Sequence, residues 1–176
     1  MEEFDRFYEH MANEILKDMS MLKHTKGNLL DLAEAGNFDI VVQGCNCFCV
    51  MGGGIAREIR ERYPMAAAMD METTRGDYTK LGNWTVGLND LTDRKFVIIN
   101  AYTQYNMSQG TDVFEYTAFQ LILKKLEYIY PTARIGLPYI GMGLAGGDKD
   151  IIIPMIELFA ENIARTGGSV TLVEFG

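Results

Sequence analysis

GCNCFCVMGGGIA, residues Gly44 to Ala56, follows the apolar run DIVVQ and leads into IAREIRERY. Apolar residues give way to three consecutive glycines and then to helical periodicity, so the stretch reads as strand, tight loop, helix. A second stretch, PYIGMGLAGGDKDI from Pro138 to Ile151, repeats that order: the short apolar run ARIGL precedes it and a helical pattern follows. Two such units place two glycine loops at the carboxyl edge of a sheet, where ligands of open α/β sheets bind.

The rest of the chain extends this pattern. EEFDRFYEHMANEILKDM spaces Phe4, Tyr8, Met11, Ile15 and Met19 as an amphipathic N-terminal helix. A strand ending at Lys26, a turn or short helix over Asn28–Ala35, and a buried strand over Asp39–Gln43 precede the first loop. The helix after the glycines is interrupted near Pro64. LGNWTVGLN and RKFVIINAYT form a hairpin across an Asn-Asp-rich connection. DVFEYTAFQLILKKLEYIY is a long helix, and SVTLVEF is a closing strand. Alternating helices and strands predict an α/β fold of three α/β/α layers, with a mixed central sheet and an extra N-terminal helix.

The chain has 176 residues and a formal net charge of −8. One domain with a substantial core fits that length. The negative field disfavours broad contact with nucleic acid, so an anionic ligand must be held by local donors such as backbone amides. Glycine lets the backbone approach a ligand, and a helix beginning there offers unpaired N–H groups and a partial positive charge. Neither a spanning helix nor a secretory leader is visible, and the expected location is the cytoplasm without membrane attachment.

Other chemistries fit less well. Gly141, Gly143 and Gly146 match GxGxxG, but they open the last helix rather than the first, and Glu161 lies inside that helix. No Gly-Lys-Ser/Thr follows any glycine run, which excludes a Walker loop. Cys45, Cys47 and Cys49 are too closely spaced for unstrained pairing and lack the ligand spacing of structural zinc. Free thiols, small buried fillers and no metal are expected, with Cys49 the one candidate for reactivity.

Asn46, at a strand end, suits a pair of ribose hydroxyls or a satisfied turn. Asp148 starts the last helix, as an N-cap or, turned inward, as the group that activates water. Tyr102, Gln104 and Tyr105 end a strand on the same edge and are candidates to wall the cleft.

With both loops in view, the chain resembles the macrodomain family of ADP-ribose-binding modules from about Leu22 to Phe175. "KGNLL" resembles the family's adenosine-end turn, and the two glycine stretches resemble its phosphate loops. GGGIA with the preceding CNC is most similar to the ADP-ribose-1''-phosphate phosphatase type, which bacteria and tailed phages encode.

The resemblance implies a macrodomain over residues 21–176 with a helical extension over 1–20. It implies a ligand, ADP-ribose or a derivative, bound without a cofactor, with nucleic acid relevant only as a modified substrate. By the same resemblance, Asn28 and Leu29 lie by adenine, with Phe175 near the base. Gly52, Gly53, Gly54, Ile55 and Ala56, facing Gly141, Met142, Gly143, Leu144 and Ala145, wrap the diphosphate and distal ribose. Asn46 contacts that ribose; for catalysis, Asp148 is the acid-base candidate and Asn46 the other candidate residue.

Several positions depart from the family pattern. Asn28 stands where many members have the aspartate that reads the adenine amino group, and Ala56 replaces an acid of the mono-ADP-ribosyl hydrolase branch. Gln43 replaces a proposed catalytic histidine. Gln104 sits where the glycohydrolase branch has an attacking lysine, and Gly53 replaces another lysine of that loop. The implied activity is hydrolysis of ADP-ribose-1''-phosphate, with release of phosphate, or of a related ADP-ribose derivative, by water attack at the distal ribose end. The alternatives are a non-catalytic ADP-ribose reader and, further off, a glycohydrolase acting on modified macromolecules.

Overall fold

A computed structural model of the chain describes residues 2–88, 96–107 and 112–176, apart from the side chains of residues 14 and 16–19. Among the described residues, six strands form one sheet in the order β1-β6-β5-β2-β4-β3. They are β1 Leu22–Lys26, β2 Ile40–Asn46, β3 Trp84–Leu88, β4 Val97–Gln104, β5 Arg134–Leu137 and β6 Ser169–Glu174. All neighbours run parallel except β3, which pairs antiparallel with β4. The expected mixed sheet and hairpin are therefore present. The Asn-Asp-rich connection of that hairpin lies outside the described residues.

Helices cover both faces because successive strand residues point to opposite sides. Ile40, Val42, Ile99, Ala101, Ile135, Leu137, Val170 and Leu172 pack against α5 (Tyr116–Ile129) and α6 (Lys149–Arg165). Val41, Ile98 and Val173 pack on the other face against α2 (Leu29–Glu34), α3 (Gly54–Arg62) and α4 (Pro64–Met71). Pro64 begins α4, where its missing N–H costs nothing, and this is the interruption visible in the sequence.

Two element boundaries differ from expectation. β2 continues past Gln43 to Asn46, with a register shift against β4 between Cys45 and Asn46. The cysteines therefore do not share one uninterrupted strand face. The helix expected from Asp112 starts at Tyr116 instead. Phe114 bridges Gln104, and Glu115 N–H donates to Thr103 O at 2.7 Å, so the chain before α5 is drawn out along the end of β4.

The N-terminal helix α1, Glu2–Met19, precedes the sheet and leaves Phe4, Phe7, Tyr8, Met11 and Ile15 exposed. Among the described residues no helix is long and apolar enough to cross a membrane.

Candidate functional site

β2 and β5 are hydrogen-bonded neighbours, so the loops that leave their carboxyl ends emerge side by side. Between them lies a cavity of about 510 Å³. Gly52, Gly53, Gly54, Ile55 and Ala56 form one wall, Gly141, Gly143, Leu144 and Ala145 the other, and Asn46 and Gln104 also reach the lining. Gly53 is the N-cap of α3 and provides no side-chain cap, and no acidic residue occupies the first turn. The first amides of that helix thus begin at the cavity wall without a side-chain acceptor, the arrangement that receives anions at helix N-termini.

The second loop is held by its own backbone. Gly147 N–H donates to Gly141 O at 2.7 Å and Gly146 N–H donates to Gly143 O at 3.0 Å. Gly141 at φ +75° makes the first bend.

A further cavity of about 390 Å³ adjoins the first and shares Gly54, Ile55, Pro138 and Tyr139 with it. Leu29, Val173 and Phe175 line it together with Glu58. The two cavities form one cleft, polar in backbone at one end and apolar in side chain at the other.

The structure brings together most of the residues singled out in the sequence. Asn46, Gly52 to Ala56, Gly141 and Gly143 to Ala145 line the first cavity, and Leu29 and Phe175 line the second. Asn46 nevertheless spends its amide locally. Its Nδ2 donates to Val50 O at 2.8 Å, and its Oδ1 accepts from Phe48 N at 2.9 Å, which shapes the turn after β2.

Other candidates fall elsewhere, Tyr105 among them: its ring stacks on Tyr78 at 3.5 Å and its hydroxyl donates to Gly76 O at 2.9 Å, away from both cavity walls. Asp148 does not line the cleft: its carboxylate caps α6 by accepting Asp150 N–H at 2.8 Å. Tyr102 is buried on the α4 side of the sheet, where its hydroxyl donates to Asp70 Oδ1 at 2.8 Å. Met142 turns inward against the core beneath α5 and α6. Asn28 caps α2, its Oδ1 accepting from Leu30 N and Asp31 N, while its Nδ2 donates to Glu58. In each case a local hydrogen bond or apolar packing claims the side chain first.

Gln43 is likewise fully buried, donating to Asn100 Oδ1 at 2.8 Å inside the sheet. Glu58 and Tyr139 escaped the sequence reading. Glu58 was detectable as the residue one helical turn beyond Gly54, on the same side of α3.

The cysteines are free. Burial, and then the nearby Asp70 charge, pushes the Cys45 thiol well above its ordinary range. Burial raises Cys47 as well. Cys49 takes a positive φ of 58°, and its Sγ lies 3.6 Å from Lys80 Nζ, away from the cleft lining. Among the described residues, no group of three or more His, Cys, Asp or Glu is placed to hold a metal ion.

These features define the macrodomain fold, and solved structures agree. The macrodomain of Mycobacterium tuberculosis DarG superposes with a TM-score of 0.69 at 20% identity, covering 88% of this chain and 97% of that one. The Trypanosoma brucei macrodomain in complex with ADP-ribose gives a TM-score of 0.60 at 13% identity, over 88% of this chain and 63% of that one. Thermosipho africanus DarTG in complex with ADP-ribose gives 0.63 at 14% identity, over 81% of this chain and 39% of that one.

No protein-family model matches. In sequence, the chain is 32% identical over 151 residues to the "uncharacterized 17.5 kDa protein in tk-vs intergenic region" of Enterobacteria phage T4. That alignment covers 81% of this chain and 92% of the phage protein. The chain belongs to the family of that phage protein and carries the macrodomain fold.

Proposed function

We propose that the chain binds ADP-ribose, with the diphosphate and distal ribose between the two glycine loops and the adenosine in the apolar end of the cleft. The observation that carries this reading is the N-terminus of α3, which has no side-chain cap and lines the cavity opposite the Gly141–Ala145 loop. A diphosphate there meets amides and a helix dipole rather than a cationic side chain, which suits a protein of net charge −8. The Trypanosoma and Thermosipho structures of the same fold, solved with ADP-ribose, support it. Residues 21–176 are proposed to carry this binding, with residues 1–20 as an appended helix.

Between a reader and a hydrolase, the cavity's chemistry favours the reader. Activation of water calls for a general base. Among the described residues lining the larger cavity there is no carboxylate, imidazole or ammonium group, and burial keeps the Cys45 thiol protonated. Hydrolysis of ADP-ribose-1''-phosphate stands as the second reading because loop amides at the cavity wall, with the second Nδ2 hydrogen of Asn46, supply donors that orient a water.

Calorimetric titration with ADP-ribose tests the first reading, and phosphate release from ADP-ribose-1''-phosphate separates the two. Heat without release is the expected result. Release above a buffer blank selects the hydrolase, and absence of binding defeats both readings.

A further inference from the structure

The apolar end of the cleft contains one charged side chain among the described residues that line it, and that side chain is fixed in place. Glu58 Oε1 accepts from Asn28 Nδ2 at 2.7 Å and from Arg62 Nη1 at 2.9 Å. Its Oε2 has no hydrogen-bond partner among the described residues. Around it stand Leu29, Ile55, Tyr139, Val173 and Phe175, surfaces that take a flat apolar body and offer no side-chain charge of their own.

We propose that Glu58 selects the base bound in this cavity, its Oε2 accepting a hydrogen bond from the exocyclic amine of a 6-aminopurine. The proposal rests on the nucleotide-binding reading above and adds the group that reads the base. An ionised carboxylate only accepts, so its partner must donate. A 6-oxopurine would set a carbonyl oxygen against Oε2, leaving two acceptors in contact and no proton between them.

Asn28 has a positioning role in this arrangement. Its Oδ1 accepts from the amides of Leu30 and Asp31 at 3.0 and 2.9 Å and from Arg62 Nη1 at 3.3 Å, which leaves its Nδ2 to face Glu58. An aspartate at position 28 would keep the cap but bring a second carboxylate to within hydrogen-bond distance of Glu58, where like charges repel. The asparagine at 28 and the glutamate at 58 therefore fit as a pair: the acceptor resides on α3, and the α2 cap holds it. Arg62, which also contacts Asp31 at 2.9 Å and Glu34 at 3.0 Å, sets its guanidinium against the same Glu58 oxygen and fixes the carboxylate on α3.

The test titrates the wild-type chain and Glu58→Gln with ADP-ribose and with inosine diphosphate ribose, which carries a carbonyl at C6. The wild type should prefer the adenine compound by about tenfold or more, the worth of one hydrogen bond to a charged group. Glu58→Gln, whose amide both donates and accepts, should bring the two ligands close to parity. Should that variant fail to fold by thermal melt, Glu58→Asp, which keeps the charge for Arg62 but withdraws the oxygen by one methylene, is read the same way.

Equal binding of both ligands by the wild type, or an unchanged preference in a folded variant, overturns the proposal and leaves nucleotide binding standing. If the wild type binds neither ligand, the broader reading fails and takes this one with it.

Discussion

The Phe114 ring occupies the space that a side chain at Gly141 would need. Gly141 also sits at φ +75°, in the left-handed region that side chains disfavour. The bend that opens the second loop is therefore closed to other residues twice over, by backbone conformation and by the ring that anchors the segment before α5.

Gly141→Ala should cost about 2–4 kcal/mol, combining left-handed strain with overpacking against Phe114. Gly53→Ala is its control. Gly53 has an extended backbone at φ −147°, and a Cβ there would meet Leu144 Cδ1 at an ordinary 3.6 Å. Its stability should stay within about 0.5 kcal/mol of the wild type. Paired denaturant melts measure both; equal losses would mean that the second loop is not rigid.

Asp148→Ala should lower stability by about 1 kcal/mol through loss of the α6 cap. Ligand affinity and any phosphate release should be unchanged, because the carboxylate does not line the cleft. A selective loss of turnover in a protein that melts normally would restore Asp148 as a catalytic residue.

Asp39 joins the start of β2 to β5. Its Oδ2 accepts from Arg134 N at 2.8 Å, and its Oδ1 pairs with Nη2 at 2.8 Å. The Arg134 hydrogen bond holds this carboxyl below the usual aspartate range. A depressed folded-state value stabilises above the unfolded pKa of about 3.9, and that contribution disappears as pH falls through the folded value. Both side chains are about half exposed, so Asp39→Asn should cost no more than about 1 kcal/mol at pH 7. The gap between wild type and variant in urea melts should narrow below about pH 4.

Backbone organisation was the more legible part of the sequence. The strand–loop–helix order around Gly52–Gly54 and Gly141–Gly147 is written in apolar periodicity and glycine clusters, signals that survive without tertiary context. Side-chain roles were less legible, because each polar residue had a local use competing with a ligand. Asp148 and Asn28 became caps, Asn46 a turn, and Tyr102 a buried donor to Asp70. Glu58 belongs to a charged helical pattern and gains its place at the cleft only where α2, β6 and the loop after β5 close around it.

Because β2 and β5 are paired, the gap between the two glycine loops is set by the pitch of a parallel sheet, about 4.8 Å per strand, rather than by any residue's bulk. A clamp whose jaws are spaced by main-chain geometry tolerates wholesale replacement of the side chains behind it. That is a physical ground for a backbone that overlays on the Mycobacterium tuberculosis protein although four residues in five differ.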